Sequence, residues 1–370
     1  MKKLFFILII LLSLAVFSSN IVNNTKPLKG NWDFNLSQEW SVDSGGSELL
    51  IKTGGMRTDE DGNIYLMELK HGKIFKFDKN GKFVATIGKR GEGPGEFRMA
   101  FNFFIVGDNI IVPSTGGIFQ YFGKDGKFIK SVNTGSFVFP RYYLNKNNFV
   151  WVRSDREGRG KDPEKISIYD MRTKKSKDIK TISPEELLTA QKGGMVLMIK
   201  DSQTTAGVVL TMQGKNIVFG KSDKYKFVKI DLEGNELSSF SLEGRERKSI
   251  SEKFKRKRFE SISLNGGRMP KEMIDQMVKG MPDIATYFSR IFVGKNGLIY
   301  VFIADLENQN GQEVDIFSPE GKYLYHGEIK VEEGSKISSM IAFYDNFIFM
   351  FVEDEEGESS LIKYKADFPE

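Results

Sequence analysis

The stretch Gly62-Asn63-Ile64-Tyr65-Leu66 returns five more times along the chain, and that return decides the fold. The other copies are Asp108-Asn109-Ile110-Ile111-Val112, Asn147-Asn148-Phe149-Val150-Trp151, Lys215-Asn216-Ile217-Val218-Phe219, Gly297-Leu298-Ile299-Tyr300-Val301 and Asp345-Asn346-Phe347-Ile348-Phe349. Each is a turn residue or two and then a short apolar run. An apolar strand precedes each copy, as in Phe104-Ile105-Val106, Val208-Val209-Leu210 and Ile341-Ala342-Phe343. A strand with period-two alternation follows, as in Ile74-Phe75-Lys76-Phe77 and Val314-Asp315-Ile316-Phe317. Turns such as Asn80-Gly81, Asp125-Gly126, Glu233-Gly234 and Glu320-Gly321 come next. Asn-Gly and Asp-Gly supply the positive backbone angles a hairpin needs. A fourth strand then reads at 83–87, 128–132, 236–240 and 323–326.

Four antiparallel strands in each of six units is the plan of an all-β, six-bladed β-propeller with short helical insertions. The spacing from Ile64 to Ile110, and from Ile110 to Phe149, suits one blade of ~40–50 residues. The intervals Phe149 to Ile217 and Ile217 to Ile299 are longer and must hold insertions. The sixth unit stops after its third strand. The stretch 39–42, ahead of the first unit, can complete it and remove an open edge. A looser sandwich, or two separate β domains, is the alternative reading.

The run Gly88-Lys89-Arg90-Gly91-Glu92-Gly93-Pro94-Gly95-Glu96-Phe97 resembles the linker between blades of NHL-repeat proteins. Asp59-Glu60-Asp61-Gly62-Asn63-Ile64-Tyr65-Leu66 resembles the inner hairpin of the same group. From about Leu50 to Asp367 the chain is similar to exported bacterial six-bladed propellers of the NHL/TolB-like group. The third unit departs from the pattern, with Thr173-Lys174-Lys175 in place of an Asn-Gly turn. The resemblance implies the fold firmly and the activity weakly, because relatives include binding scaffolds as well as lyases and lactonases.

The N-terminus reads as a targeting segment. Lys2 and Lys3 precede apolar residues 4–12 and 14–17, and Ser18 and Ser19 follow. That is a signal peptide over 1–18, with a retained anchor as the alternative. The division expected is 19–37 as an N-terminal extension and 38–370 as the propeller, with a basic and helical insertion at 245–288 between blades 4 and 5. The protein is thus expected to be exported, periplasmic or extracellular, with no transmembrane helix once the signal is removed.

The 370 residues contain no cysteine and only two histidines, His71 and His326. Thiol chemistry, Cys-ligated zinc and a three-histidine metal centre are excluded within one chain. The formal charge of +5 is too mild to imply nucleic acid. The glycine-rich linker lacks the Gly-Lys-Ser/Thr ending of a phosphate loop.

Two function classes remain. One is a non-catalytic scaffold for a protein, peptide or glycan, with no cofactor. The other is a channel-centred hydrolase or lyase of the gluconolactonase type with a divalent metal. Resemblance to that type points to Glu68, Asp155, Asp305 and Glu353, near the ends of their second strands, as ligands. For the scaffold, Arg98, Arg141 and Arg290 lie just ahead of inner-strand patterns, and Tyr142 adjoins Arg141. Arginine beside aromatics is enriched at binding hot spots and grips carboxylate or phosphate through two parallel bonds. An anionic ligand is the expectation, against the alternative that each arginine pairs with a neighbouring carboxylate. In the insertion, residues 270–278 read as a helix with Ile274, Met277, Val278 and Met281 on one face. Ser183-Pro184 reads as a second helix start.

Overall fold

A computed structural model describes residues 20–51, 53–135, 138–154, 163–184, 188–192, 195–199, 203–264 and 267–370. The signal peptide reading at 1–18 therefore lies outside the described residues. Five sheets of four consecutive antiparallel strands follow one another, a sixth joins three C-terminal strands to one from the N-terminal chain, and the chain is a six-bladed β-propeller. The innermost strands of blades 1 to 6 are Thr53–Thr58, Phe104–Val106, Tyr142–Tyr143, Val208–Gln213, Phe288–Val293 and Lys336–Tyr344. The repeated motif forms the second strand of each blade, for example Ile64–Glu68 and Ile299–Ile303, every residue of which is buried. Those strands are apolar throughout because each is covered on both faces by neighbouring blades. The turns form as their residues dictate. In blade 1 the Asp78 carboxylate accepts the N–H groups of Asn80 and Lys82, and Gly81 takes φ +84°.

Ring closure uses the N-terminal chain three times. Ser37–Val42 pairs antiparallel with Ser359–Lys365 and becomes the fourth strand of blade 6. Upstream, Asn31–Asp33 adds a parallel fifth strand to the outer edge of blade 5, and Asn20–Asn24 does the same for blade 4. The stretch read as an extension is thus a strap along the rim. Asn24 fastens it between two blades. Its side-chain amide donates to the carbonyls of Ser241 and Gly321 at 2.9 Å each, and its oxygen accepts the Tyr323 N–H at 2.8 Å. Phe34, only 1% exposed, sinks between blades 5 and 6 against Phe343 and Phe368. Trp40 reaches blade 1, where its indole N–H donates to the Lys79 carbonyl and its ring lies where a Cβ on Gly81 would sit, 2.9 Å away.

A buried ionic latch joins blades 4 and 5. The fully buried Asp315 accepts hydrogen bonds from the Tyr225 and Tyr323 hydroxyls, at 2.6 and 2.8 Å, and contacts His326 Nδ1 at 2.9 Å. Arg245 and Lys248, from the segment leaving blade 4, pair with Glu313 on the same strand. Burial pulls the Asp315 carboxyl up, but His326, the Arg245 charge and the two tyrosines outweigh it and hold it below its ordinary value of 3.8.

The insertion between blades 4 and 5 holds two helices. The helix α2, Lys271–Gly280, follows Pro270 and buries Met273, Ile274, Met277 and Val278. The basic stretch before it also forms a helix, α1, Glu252–Glu260. Ser251 caps it by accepting the Phe254 N–H, and Glu252 in the first turn and Lys257 and Arg258 in the last suit its dipole. The apolar face of α2 packs on Phe259, Ile250, Leu306 and Ala190, so the chain itself covers it. Of the helix start read at Ser183-Pro184, residues 185–187 lie outside the described residues, and the described residues on either side are strands. Pro184 ends the strand Lys175–Pro184, and Leu188–Lys192 pairs with Met195–Ile199 as a hairpin. Pairing with Pro163–Asp170 takes Pro184 itself.

Two stability outcomes follow from these contacts. Phe34→Ala should lower the unfolding free energy by about 3–5 kcal/mol in urea titrations, the usual cost of emptying a buried aromatic site. The second concerns pH. A carboxyl depressed by folding stabilises the protein above its unfolded value, and that stability is lost as pH falls through the depressed folded value. Asp315→Asn should therefore flatten the acid limb of stability below about pH 4 and cost about 3–5 kcal/mol at neutral pH. An acid limb as steep in the variant as in the parent would remove Asp315 from this role.

Candidate functional site

The six inner strands surround a central channel with a cavity of about 920 Å³. Its wall is mostly apolar and aromatic, with Phe104, Tyr143, Phe292 and Phe343 among its residues. Its charged groups among the described residues are Arg57, Arg141 and Arg290. No carboxylate, lysine or histidine joins them there.

Each arginine is placed by its blade. Arg141 directly precedes the inner strand of blade 3, and its backbone N–H donates to the Val150 carbonyl at 2.8 Å. Its side chain is exposed to the channel and has no ion pair among the described residues. Tyr142, the next residue, reaches blade 4, with its hydroxyl 3.4 Å from Thr211 Oγ1. Arg290, in blade 5, lies over the Phe302 ring with its guanidinium carbon 3.8 Å from the centroid. One of its N–H groups donates to the Ile341 carbonyl of blade 6. Ile341 lies beside a register shift in its strand, where the ladder is interrupted.

Arg57 was not foreseen. It projects from blade 1 over Phe103 and Phe104, at 5.9 and 5.4 Å, and donates to Asn102 Oδ1 at 3.1 Å and to the Met56 carbonyl at 2.6 Å. A register argument could have found it. Thr58 pairs with Ile64, so Arg57 stands one residue before the inner hairpin, in a strand that must face the channel. Burial pushes the Arg290 guanidinium down to about 10 and lowers Arg57 as well. No carboxylate offsets either shift.

The other expected residues are elsewhere. Arg98 does not join the channel. Its carbonyl is tied to Thr115, in the turn between the second and third strands of blade 2, and its exposed guanidinium pairs with Glu92 at 2.8 Å. Arg98 thus pairs with a carboxylate, whereas among the described residues Arg141 and Arg290 do not, and Arg290 ties blade 5 to blade 6 through a carbonyl instead. Glu68 is fully buried and accepts the backbone N–H of His71 at 2.6 Å, with His71 Nδ1 at 2.9 Å. Asp305 caps a turn by accepting the N–H groups of Glu307 and Asn308. Glu353 pairs with Lys336 at 3.1 Å. Asp155 lies outside the described residues. Among the described residues, no three His, Asp or Glu side chains come together as a metal site. In the linker 88–97 the Glu96 carboxylate accepts the Gly93 N–H at 3.0 Å, so an acid of the chain itself fills the place a phosphate would take.

The approach of Arg57 depends on a glycine. A Cβ on Gly55 would lie 2.1 Å from Asn102 Oδ1, the atom that receives Arg57. Gly55→Ala should displace Asn102 and cost about 1–3 kcal/mol in denaturant unfolding. Unchanged stability would show that Asn102 moves aside freely.

The comparisons agree on the architecture. A family model described as a 6-bladed beta-propeller, DUF5128, matches residues 47–267. None of the functionally curated proteins matches the chain. Among solved structures, a Bacteroides fragilis protein inferred to be exported is similar, with 14% identity and TM-score 0.53 over 94% of this chain and 100% of the other. A DUF4221-family member from Bacteroides vulgatus is similar at 13% identity and TM-score 0.56, over 90% of this chain and 98% of the other. At these identities the likeness is one of fold. With well over half its length matched by that family model, the chain belongs to the DUF5128 family of six-bladed β-propellers.

Proposed function

We propose that the protein is an exported, non-catalytic binding scaffold whose central channel captures an anionic ligand. One observation carries the reading: three arginines face one channel and no acid among the described residues faces them. Elsewhere the chain pairs its arginines readily, as in Arg153 with Asp178 and Arg256 with Asp275. A cation enclosed by protein without a counter-charge is costly, and a bound anion removes that cost. The aromatic wall supplies apolar contact for the rest of the ligand. Export rests on the basic-then-apolar N-terminal segment and on the Bacteroides neighbour inferred to be exported. The metal-dependent reading fits this wall poorly, since three guanidinium groups repel a divalent cation and Glu68, Asp305 and Glu353 do not line the channel.

The test is thermal melting with sulfate, compared with chloride at equal ionic strength. Binding to the folded state should raise Tm in proportion to the logarithm of sulfate concentration. The double variant Arg141→Ala with Arg290→Met should lose that increment. Its Tm without sulfate should stay within a few degrees of the parent, because neither group holds a carboxylate among the described residues and the methionine keeps the apolar packing on Phe302. Equal melting of the parent in sulfate and chloride would sink the proposal.

A further inference from the structure

Beside the channel lies a second cavity of about 420 Å³, between blade 5 and the helical insertion. It shares Ser289, Arg290, Phe302 and Ile341 with the channel, so Arg290 stands at the junction of the two. Its chemistry differs. Asp305, Asn308, Gln309 and Gln312 line it together with Arg258, and Phe254 of α1 contributes an aromatic wall.

We propose that this cavity is a hydroxyl-binding subsite, and that the ligand of the whole site is an acidic sugar: a ring of hydroxyls bearing a carboxylate. The proposal rests on the anion-binding reading of the channel. A hydroxyl both donates and accepts, and a carboxamide offers the complement of each. The polar groups are held ready for this. Gln312 spends its N–H donors on the Ile303 and Glu313 carbonyls, at 2.8 and 2.9 Å, which leaves its oxygen as a fixed acceptor. Asp305 uses one oxygen on the N–H groups of Glu307 and Asn308, at 3.1 Å each, and its other oxygen has no partner among the described residues. Gln309 is exposed, and its side chain has no partner among the described residues. Arg290 gives one of its five N–H donors to Ile341 and keeps others for a carboxylate at the junction. Phe254 offers apolar surface to the C–H face of a ring. A peptide is the less suitable occupant, because peptides are read along a groove or a sheet edge and this is a compact chamber off a channel.

Titration calorimetry of the full chain at low salt, with sodium glucuronate, glucose, acetate, sulfate and tri-glutamate as probes, decides it. Glucuronate should bind at least tenfold more tightly than acetate, and glucose more weakly than glucuronate. Phe254→Ala and Gln309→Ala should each weaken glucuronate by about fivefold or more and leave sulfate binding unchanged. Gln309 is exposed, so its variant keeps the test valid if Phe254→Ala fails to fold. Glucuronate no tighter than acetate, equal losses for sulfate and glucuronate, or a preference for tri-glutamate would overturn the subsite while leaving the anion channel standing. Failure of both sulfate and glucuronate to bind would remove the channel reading and the subsite with it.

Discussion

The antiparallel pairing of Ser37–Val42 with Ser359–Lys365 closes the ring, and the rest of the structure depends on that ring. Without it blade 6 would have three strands and an unpaired edge, open to any extended chain. Closure also fixes the axis. Arg57, Arg141 and Arg290 are far apart in sequence and come from blades 1, 3 and 5, yet they line one cavity. No local contact could bring them together. The same N-terminal chain adds strands to blades 4 and 5 and sends Trp40 to blade 1, so one strap spans the seam where the ring meets.

The arginines of this chain divide by what holds them. Arg98, Arg153, Arg245 and Arg256 hold carboxylates. Arg57 and Arg290 are held by carbonyl or amide oxygens and by aromatic faces. Stacking on an aromatic ring stabilises a guanidinium by only about 0.5–2 kcal/mol. Enclosure therefore wins, and both groups hold their protons less firmly than a free arginine. If these residues served only to tie blades together, a carboxylate beside each would do so at lower cost, as Glu313 does for Arg245.

What the sequence revealed followed from how local each signal is. The blades were legible because each second strand and its turn fit in about ten residues, and Asn80-Gly81 or Asp125-Gly126 adopts its turn in almost any surroundings. Arg141, Tyr142 and Arg290 were legible because they adjoin or lie within inner strands. Arg98 was misplaced because it stands six positions before its inner strand, and the intervening loop carries it outward to Thr115. Arg57 was missed because Gly54 and Gly55 blur the strand pattern around it, although they are what lets the loop at Asn102 approach. The helix α1 was hidden by its lysines and arginines, which keep its apolar periodicity weak. At Pro184 a local helix-start signal coincides with the end of a longer-range strand pairing, which takes Pro184 itself.

The way the channel arginines are held bears on how a ligand would bind. An arginine already paired to an acid must give up that bond before it can take an anion, so the two interactions nearly cancel. Here no acid among the described residues has to be displaced. Arg290 is already oriented by the Ile341 carbonyl and the Phe302 ring, and Arg57 by Asn102. A closed ring of blades leaves little backbone freedom to lose on binding, which reduces the ordering cost that usually limits affinity. The positive charge attracts any anion of suitable size, so charge alone cannot select among them. In the proposed reading, selection would fall to the apolar wall and to the polar chamber at Arg290, where a misfitting group would leave desolvated amides unpaired.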